Sequence, residues 1–229
     1  MRKSILLTFI LITIMAFSSL SFANFAEESF INTGIDHFNK RDYDKAIACF
    51  TRALELNNRN TSTYLLRGNS YFYQNNYQMA IKDYTKITQI EPANSNAYYN
   101  RGISKLNLKQ YEDAILDFNI VIEIEPDNAN PYCYRGLVYA SQEKYKKAID
   151  DYTRTIELNP NSIHAYGLRA EIYERLGRKD AADRDNKKVQ ELKVKLDKEE
   201  QENNKNKKKN TKIKESYGKI AVMPYNRSF

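Results

Sequence analysis

The 229-residue chain has few of the residues from which catalytic and metal sites are built. It contains two histidines, His37 and His164, far apart in the sequence, and two cysteines, Cys49 and Cys133. No Cys-x-x-Cys pair, no phosphate-binding glycine loop and no Gly-x-Ser-x-Gly turn occurs. The sequence therefore predicts no catalytic residue, no metal site and no cofactor, and it favours a binding function over an enzymatic one.

Long apolar runs are also scarce, and the one that stands out lies within residues 1–23. A basic start is followed by an apolar run from Ile5 to Phe17 and by a polar end with small residues at Ser21 and Ala23. This order is typical of a secretory signal, so we expect cleavage after Ala23 and export to the periplasm, the cell envelope or the medium. An uncleaved anchor is the alternative, which the shortness of the run disfavours.

What the sequence has instead is a strict 34-residue repeat. After a short leader, 24–26, five units follow without insertion or deletion: 27–60, 61–94, 95–128, 129–162 and 163–196. Each unit turns once in its middle, and Pro92, Pro126 and Pro160 follow the second apolar run of three units, where a helix cannot continue. Each unit is thus predicted to be a pair of short antiparallel helices, which must stack on copies of itself to bury a core.

Small and aromatic residues recur at fixed positions of the unit. In units one to four a glycine on the first helix (Gly34, Gly68, Gly102 and Gly136) lies 12 residues before an alanine on the second, so we expect the two to face each other and the helices to approach closely. Two sets of aromatic residues are predicted to fill the core. They are Phe30, Tyr64, Tyr98, Tyr132 and Tyr166 at the fourth position, and Phe50, Tyr84, Phe118 and Tyr152 at the twenty-fourth.

Two charges also recur together in units two to five and are both absent from unit one. The seventh position holds Arg67, Arg101, Arg135 and Arg169, and the twenty-third holds Asp83, Asp117, Asp151 and Asp185. We expect each arginine to pair with an aspartate of a neighbouring second helix, partly buried, in a ladder of ion pairs along the stack. Lys105 is expected to be exposed and to serve as a comparison.

These motifs resemble those of the tetratricopeptide repeat family. Unit two has the aromatic, glycine, alanine and proline of the family pattern at Tyr64, Gly68, Ala80, Tyr84 and Pro92, and unit four repeats the pattern. The resemblance covers about three quarters of the chain. It implies an all-α fold, an α-solenoid of about five antiparallel helix pairs that winds into a right-handed superhelix, and a concave groove lined by the first helices.

The groove positions implied by the resemblance have neutral, aromatic and amide side chains. They are Leu65, Leu66, Asn69, Phe72, Tyr73, Asn96, Tyr99, Asn100, Ile103, Asn107, Asn130, Tyr134 and Leu137. Asparagine can donate and accept hydrogen bonds along the backbone of an extended peptide, and the larger side chains offer pockets for its side chains. We therefore expect an adaptor that binds a peptide or a partner protein, and no small-molecule substrate.

The residues after the repeats are strongly basic. From 187 to 229 there are 13 Lys or Arg and 6 Asp or Glu, whereas residues 24–186 carry 21 basic and 23 acidic residues. A helix is expected to continue to about Glu202, and residues 197–229 are predicted to form a largely disordered basic tail. The alternative function is a secreted factor whose lysine-rich tail contacts an anionic surface (lipid, envelope polymer or nucleic acid) or host components.

Overall fold

The computed structural model describes residues 24–220, and all of its regular secondary structure within that range is helical. The helices are α1 (24–39), α2 (Tyr43–Leu56), α3 (Thr61–Tyr73), α4 (Tyr77–Ile90), α5 (Ser95–Asn107), α6 (Tyr111–Ile124), α7 (Ala129–Ser141), α8 (Tyr145–Leu158), α9 (Ile163–Arg175) and α10 (Lys179–Ile220). The predicted all-α architecture of helix pairs is thereby confirmed. The signal predicted for residues 1–23 lies outside the described residues.

Short polar residues set the helix starts. Asn60, Asn94 and Asn128 precede the first helices α3, α5 and α7, and their side chains accept hydrogen bonds from backbone N–H groups of the first turn. Such caps satisfy donors that have no partner inside the helix. The second helices α4 and α6 end at Ile90 and Ile124, two residues before a proline in each case.

The turn inside each pair uses the same backbone conformation five times. Arg41, Asn75, Lys109, Glu143 and Gly177 follow one another at 34-residue intervals, and each has a positive φ, between 57° and 69°. The next residue donates its backbone N–H to a carbonyl five positions back, for example Asn76 to Tyr71 at 2.8 Å. This is a Schellman closure of the helix end, in which glycine is the favoured residue, yet only the last turn has one.

The chain divides into two compact units, residues 1–151 and 152–229. In the first unit each first helix packs on the second helix of its own pair, and each second helix packs on the first helix of the next pair, from α2 through to α7. In the second unit α9 packs against α10. Within each unit the pairing of consecutive helices is thus that of a repeat solenoid.

Aromatic rings are the nearest neighbours of three first-helix glycines, Gly34, Gly68 and Gly102. A Cβ on Gly68 would lie 2.7 Å from a ring carbon of Tyr84, and a Cβ on Gly34 would lie 2.5 Å from Phe50. The prediction named the alanines and not these rings as the neighbours of the glycines; its reason for glycine, a close approach of the two helices, agrees with the short distances. Tyr84 and Phe50 are almost completely buried.

The aromatic residues at the fourth position are less buried than predicted. Phe30 is 38% exposed, and Tyr64, Tyr98, Tyr132 and Tyr166 are half-buried. Each tyrosine ring lies under the arginine three residues later, at 5.0 to 5.8 Å from the ring centre to the guanidinium carbon. These rings are therefore packing partners of the arginines and not core residues in the sense of Phe50 or Tyr84.

Helix α10 extends farther than predicted. It continues to Ile220 without a break, beyond the end expected near Glu202, although its composition becomes rich in lysine and asparagine. Its first part belongs to the repeat, because Ala182, Asp185, Val189 and Leu192 are buried at intervals of three and four residues. None of the helices in the described range combines the length and the apolar character needed to cross a bilayer.

Candidate functional site

The structure brings the eight predicted ladder residues together as four ion pairs. Each pair joins the first and second helix of the same repeat, 16 residues apart, so the neighbouring second helix that was predicted to supply the aspartate is the one that follows the arginine in its own repeat. In unit two, Arg67 Nε donates to Asp83 Oδ2 at 2.8 Å and Nη2 donates to Oδ1 at 2.7 Å. The other pairs are Arg101–Asp117, Arg135–Asp151 and Arg169–Asp185, with the same fork geometry.

The link between repeats is made by the remaining guanidinium nitrogen. Nη1 of Arg67 donates to the Thr51 hydroxyl on the second helix of the preceding repeat, at 3.1 Å. Arg101 donates in the same way to Thr85, Arg135 to Asn119 and Arg169 to Thr153. Each arginine therefore connects two repeats. The recurring polar residue at the twenty-fifth position of the unit, Thr or Asn, is the sequence feature that could have indicated this contact.

Lys105 is not the exposed residue that was expected. Its Nζ lies 2.9 Å from Asp117 Oδ2, and its side chain is only 15% exposed. Asp117 thus has two cations, Arg101 and Lys105, while Asp83 has Arg67 alone among the contacts of the described residues. This difference makes unit three unsuitable as a simple test of the ladder.

The predicted groove residues lie on α3, α5 and α7, and α5 contacts α7 directly. We call these 13 residues the groove surface. Tyr73, Asn96, Asn107 and Asn130 are exposed, and the others are half-buried. Part of the half-buried set supports the core, since Leu65 and Phe72 pack against the Tyr84 cluster and Tyr99, Ile103 and Tyr134 pack against the Phe118 cluster.

An aromatic group lies at the centre of the groove surface. Tyr99 on α5 and Tyr134 on α7 meet edge to face with ring centres 5.5 Å apart, and Phe118 lies below them, stacked on Tyr134 at 6.0 Å. Burial, together with Tyr134, raises the pKa of Tyr99 well above its ordinary value, so the phenol stays neutral.

A second aromatic group lies at the turn between the helices of the first two repeats. Tyr73 stacks on Tyr43 with ring centres 5.6 Å apart and an angle of 10° between the rings, and Phe38 meets both rings edge to face. Phe72 and Tyr77 extend the group. Tyr73 is nevertheless 58% exposed, so one face of this group is open to a ligand. Phe38, Tyr43 and Tyr77 were not among the predicted site residues.

Two of the predicted asparagines are already engaged within the protein. Asn69 Oδ1 accepts a hydrogen bond from the buried Tyr84 hydroxyl at 2.8 Å, and Asn107 Nδ2 donates to the Ile103 carbonyl at 2.9 Å. Asn69 is therefore part of the core network, and its replacement would disturb folding as well as binding. Asn96 and Asn130 are the exposed amides that remain suited to contacting a ligand.

A small cavity opens beside the central aromatic group. It has a volume of about 90 Å³ and is lined by Ser95, Asn96, Tyr99, Val121, Glu125, Asn128 and Asn130. Three of these residues were predicted as groove positions, and the other four were not. A larger recess of about 350 Å³ is formed by one short segment, Gly177 to Ala181 with Arg184, and contains no groove residue.

The carboxylate of Glu125 is held in place at this cavity. Ser95 donates its hydroxyl to Oε1, and Asn128 donates Nδ2 to Oε2 at 2.7 Å. These two hydrogen bonds lower the pKa of Glu125, with the Ser95 bond as the larger cause, so the carboxylate is charged at neutral pH. Glu91 is the equivalent residue one repeat earlier, and hydrogen bonds from Thr61 and Asn94 lower its pKa in the same way.

The two cysteines are free thiols, Cys49 on α2 and Cys133 on α7. Burial raises the pKa of Cys133 to about 11, with a smaller contribution from Asp151, so its thiol is protonated and unreactive at neutral pH. Within residues 24–220 no group of three or more His, Cys, Asp or Glu side chains has an arrangement that could bind a metal ion.

Comparisons with known proteins agree with this architecture. The family model described as "ETO1 C-terminal domain" matches residues 25–213. A crystal structure of MamA is 30% identical over 72% of this chain and 96% of its own, with a TM-score of 0.68. MamA from Desulfovibrio magneticus RS-1 is 21% identical over 75% of this chain and 97% of its own, with a TM-score of 0.71.

A third structure, titled as YrrB, a TPR protein with an unusual peptide-binding site, is 19% identical over 71% of this chain and 84% of its own, with a TM-score of 0.60. No curated protein sequence matches the chain. The extent of the family match and the repeated helix pairs lead to one conclusion. The chain belongs to the family of the ETO1 C-terminal domain and is a tetratricopeptide repeat protein, a scaffold of stacked helix pairs.

Proposed function

We propose that the protein is a non-catalytic adaptor that binds an extended peptide segment of a partner protein along the groove surface. The observation that carries the proposal is the row of half-buried aromatic and aliphatic residues on α3, α5 and α7, bordered by exposed asparagines and without a charged side chain. Such a surface can hold a peptide backbone through amide hydrogen bonds while the apolar residues receive its side chains.

Charge also favours a peptide over a nucleic acid or a phosphate at this surface. The thirteen residues of the groove surface are all neutral, and the carboxylate of Glu125 lies next to them. Polyanions would be repelled here, whereas a neutral or cationic peptide segment would not. The likeness to YrrB, which is described as having a peptide-binding site, supports this proposal.

The test is selection of peptides from a random display library on the full chain. The affinity of the best peptide is then measured for the wild type and for a variant with Asn96→Ala and Asn130→Ala. The matched control carries Gln78→Ala and Gln89→Ala, which remove two exposed amides from the second helix α4. We expect binding to weaken about tenfold in the first variant and to stay unchanged in the control. Equal affinities of the two variants would contradict the proposal.

The alternative is that the lysine-rich part of α10 carries the function. The observation in its favour is the local charge, 13 basic against 6 acidic residues from 187 to 229. Replacing Lys205, Lys207, Lys208, Lys209, Lys212 and Lys214 by glutamine removes the charge and keeps a good helix former. If that variant loses the partner while the Asn96→Ala, Asn130→Ala variant retains it, the basic segment is the binding element.

We also propose that the protein acts outside the cytoplasm, in the cell envelope or beyond it. The support is the composition of residues 1–23, with a basic start, an apolar run and small residues before the expected cleavage point. N-terminal sequencing of the protein purified from cells tests this directly. A mature protein that begins at Asn24 is the expected result, and one that still begins at Met1 would show that the segment is retained.

A further inference from the structure

The cavity of about 90 Å³ beside Tyr99 has the size of a side-chain end and not of a cofactor. Sites for drug-sized ligands enclose roughly 300 to 1,000 Å³. A water molecule needs only about 10 to 15 Å³ of such space, so the cavity has room for several waters or for the terminal group of one side chain. It lies between α5, α6 and the start of α7 and adjoins the groove surface, since three groove residues, Asn96, Tyr99 and Asn130, line it.

The lining of the cavity is anionic on one side and neutral elsewhere. Glu125 is the one charged residue among the seven, and its carboxylate is fixed by Ser95 and Asn128. An ionised carboxylate has about four acceptor sites, and these two hydrogen bonds use two of them. Glu125 is therefore oriented by the protein and still able to accept from a ligand.

The other lining residues suit a cation as well. Tyr99 is one of the lining residues, and ammonium and guanidinium groups are attracted to aromatic rings of this kind. The exposed Asn96 and Asn130 offer amide oxygens at the mouth of the cavity. An anionic group would be repelled by the carboxylate of Glu125. An apolar group would displace water from the polar atoms of the lining without replacing their hydrogen bonds.

We propose that this cavity is a subsite for a cationic group, an ammonium or a guanidinium, of the peptide that binds along α3, α5 and α7. Glu125 is the specificity-determining residue, Tyr99 the ring that the cation contacts, and Ser95 and Asn128 the residues that position the carboxylate. The inference rests on the proposed peptide-binding function and adds the chemistry of the ligand. The cation comes either from a lysine or arginine side chain or from the amino terminus of the peptide.

The test uses small probes, so that it does not depend on the peptide selected for the groove. Full-chain protein labelled with ¹⁵N is titrated at constant ionic strength with Nα-acetyl-lysine-N-methylamide, glycinamide and Nα-acetyl-norleucine-N-methylamide. The first presents a side-chain ammonium, the second an α-ammonium, and the third has the lysine shape without charge. We expect the backbone amides of Asn96 and Asn128 to shift with at least one cationic probe and not with the norleucine probe.

Two substitutions connect the shifts to the cavity. Glu125→Gln is expected to raise the dissociation constant of the cationic probe about tenfold, because the charged acceptor is lost. Glu91→Gln is the matched control, since Glu91 has the same pair of hydrogen bonds one repeat earlier and does not line the cavity. It is expected to leave the constant unchanged. Asn130→Lys, at an exposed position, should weaken binding by placing a competing cation at the mouth.

The outcomes separate the subsite from the groove. A response to the lysine probe alone identifies a side-chain ligand, and a response to glycinamide alone identifies a chain terminus. Norleucine binding as tight as lysine binding, or an unchanged constant in both Glu125→Gln and Asn130→Lys, overturns the subsite. In that case a library peptide that still binds the wild type leaves the proposed function standing. If no library peptide binds the protein but the cationic probe still does, the proposed function alone is contradicted.

Discussion

Replacing Arg67 by alanine removes the one cation that contacts the buried carboxylate of Asp83 among the described residues. The side chain of Asp83 is 6% exposed, and Arg67 holds it with two hydrogen bonds of 2.7 and 2.8 Å. Breaking a buried ion pair by removal of one partner costs about 3 to 5 kcal/mol, because the other charge stays buried and unpaired. The substitution also removes the link to Thr51 of the preceding repeat.

The same change in the next repeat should cost less. After Arg101→Ala the carboxylate of Asp117 keeps the ammonium of Lys105 at 2.9 Å. One hydrogen bond between charged groups contributes about 1.5 kcal/mol or more, so we expect Arg101→Ala to be milder than Arg67→Ala by roughly that amount. Arg101→Ala combined with Lys105→Ala should then reach the loss seen for Arg67→Ala.

The assay is urea unfolding of the full chain, followed by circular dichroism. Arg52→Ala is the matched control, since Arg52 pairs with Glu55 on the surface and both side chains are more than half exposed. Its loss should remain below about 0.5 kcal/mol. A loss for Arg67→Ala as small as that for Arg52→Ala would refute the view that the buried pair with Asp83 and the link to Thr51 stabilise the stack of repeats.

Three further tests, with four substitutions, address other parts of the account. Gly68→Ala would place a Cβ 2.7 Å from the buried ring of Tyr84 and should lower the free energy of unfolding by roughly 1 to 3 kcal/mol. Gly167→Ala has open space around it and should raise the free energy of unfolding by up to about 1 kcal/mol. Equal shifts of the two variants in thermal unfolding would contradict the close packing at Gly68. Lys109 has a φ of 58°, which is unfavourable for a residue with a side chain and is readily adopted by glycine. Lys109→Gly should therefore raise the free energy of unfolding by up to about 1 kcal/mol in the same assay. A lower stability would exclude backbone strain at this turn. Because the pKa of Glu125 is lowered in the folded state, the stabilisation that its carboxylate provides is present above the ordinary value of 4.5 and is lost as the pH falls through the folded-state pKa. Glu125→Gln should therefore lose less stability than the wild type between about pH 6 and about pH 3. Parallel plots of stability against pH for the two proteins would contradict this.

The repeat made much of the fold predictable. A fixed 34-residue interval places every helix and turn in the same register, so three to five copies of each signal support one assignment. The joint presence and absence of Arg67 and Asp83 equivalents indicated a contact, which the structure places within one repeat. Sequence spacing could not separate that arrangement from pairing between repeats, because a second helix contacts first helices on both sides.

Contacts that depend on three-dimensional packing were harder to predict. The atoms nearest to Gly68 belong to the ring of Tyr84, which the repeat pattern did not indicate as its neighbour, since the large ring reaches across the helix crossing. Lys105 was expected to be exposed because lysine usually is, but its long side chain reaches Asp117. Glu125 was missed as a site residue because it follows a second helix, whereas the family pattern directs attention to first helices.

The central claim is that a peptide lies along α3, α5 and α7, and photo-crosslinking tests it most directly. A library-selected peptide carrying one benzophenone side chain is bound to the full chain and irradiated, and the crosslinked residues are identified by mass spectrometry. The account predicts crosslinks at Tyr73, Asn96, Tyr99 or Asn130 on the first helices. Crosslinks confined to the second helices α4 and α6, or to the lysine-rich part of α10, would contradict it.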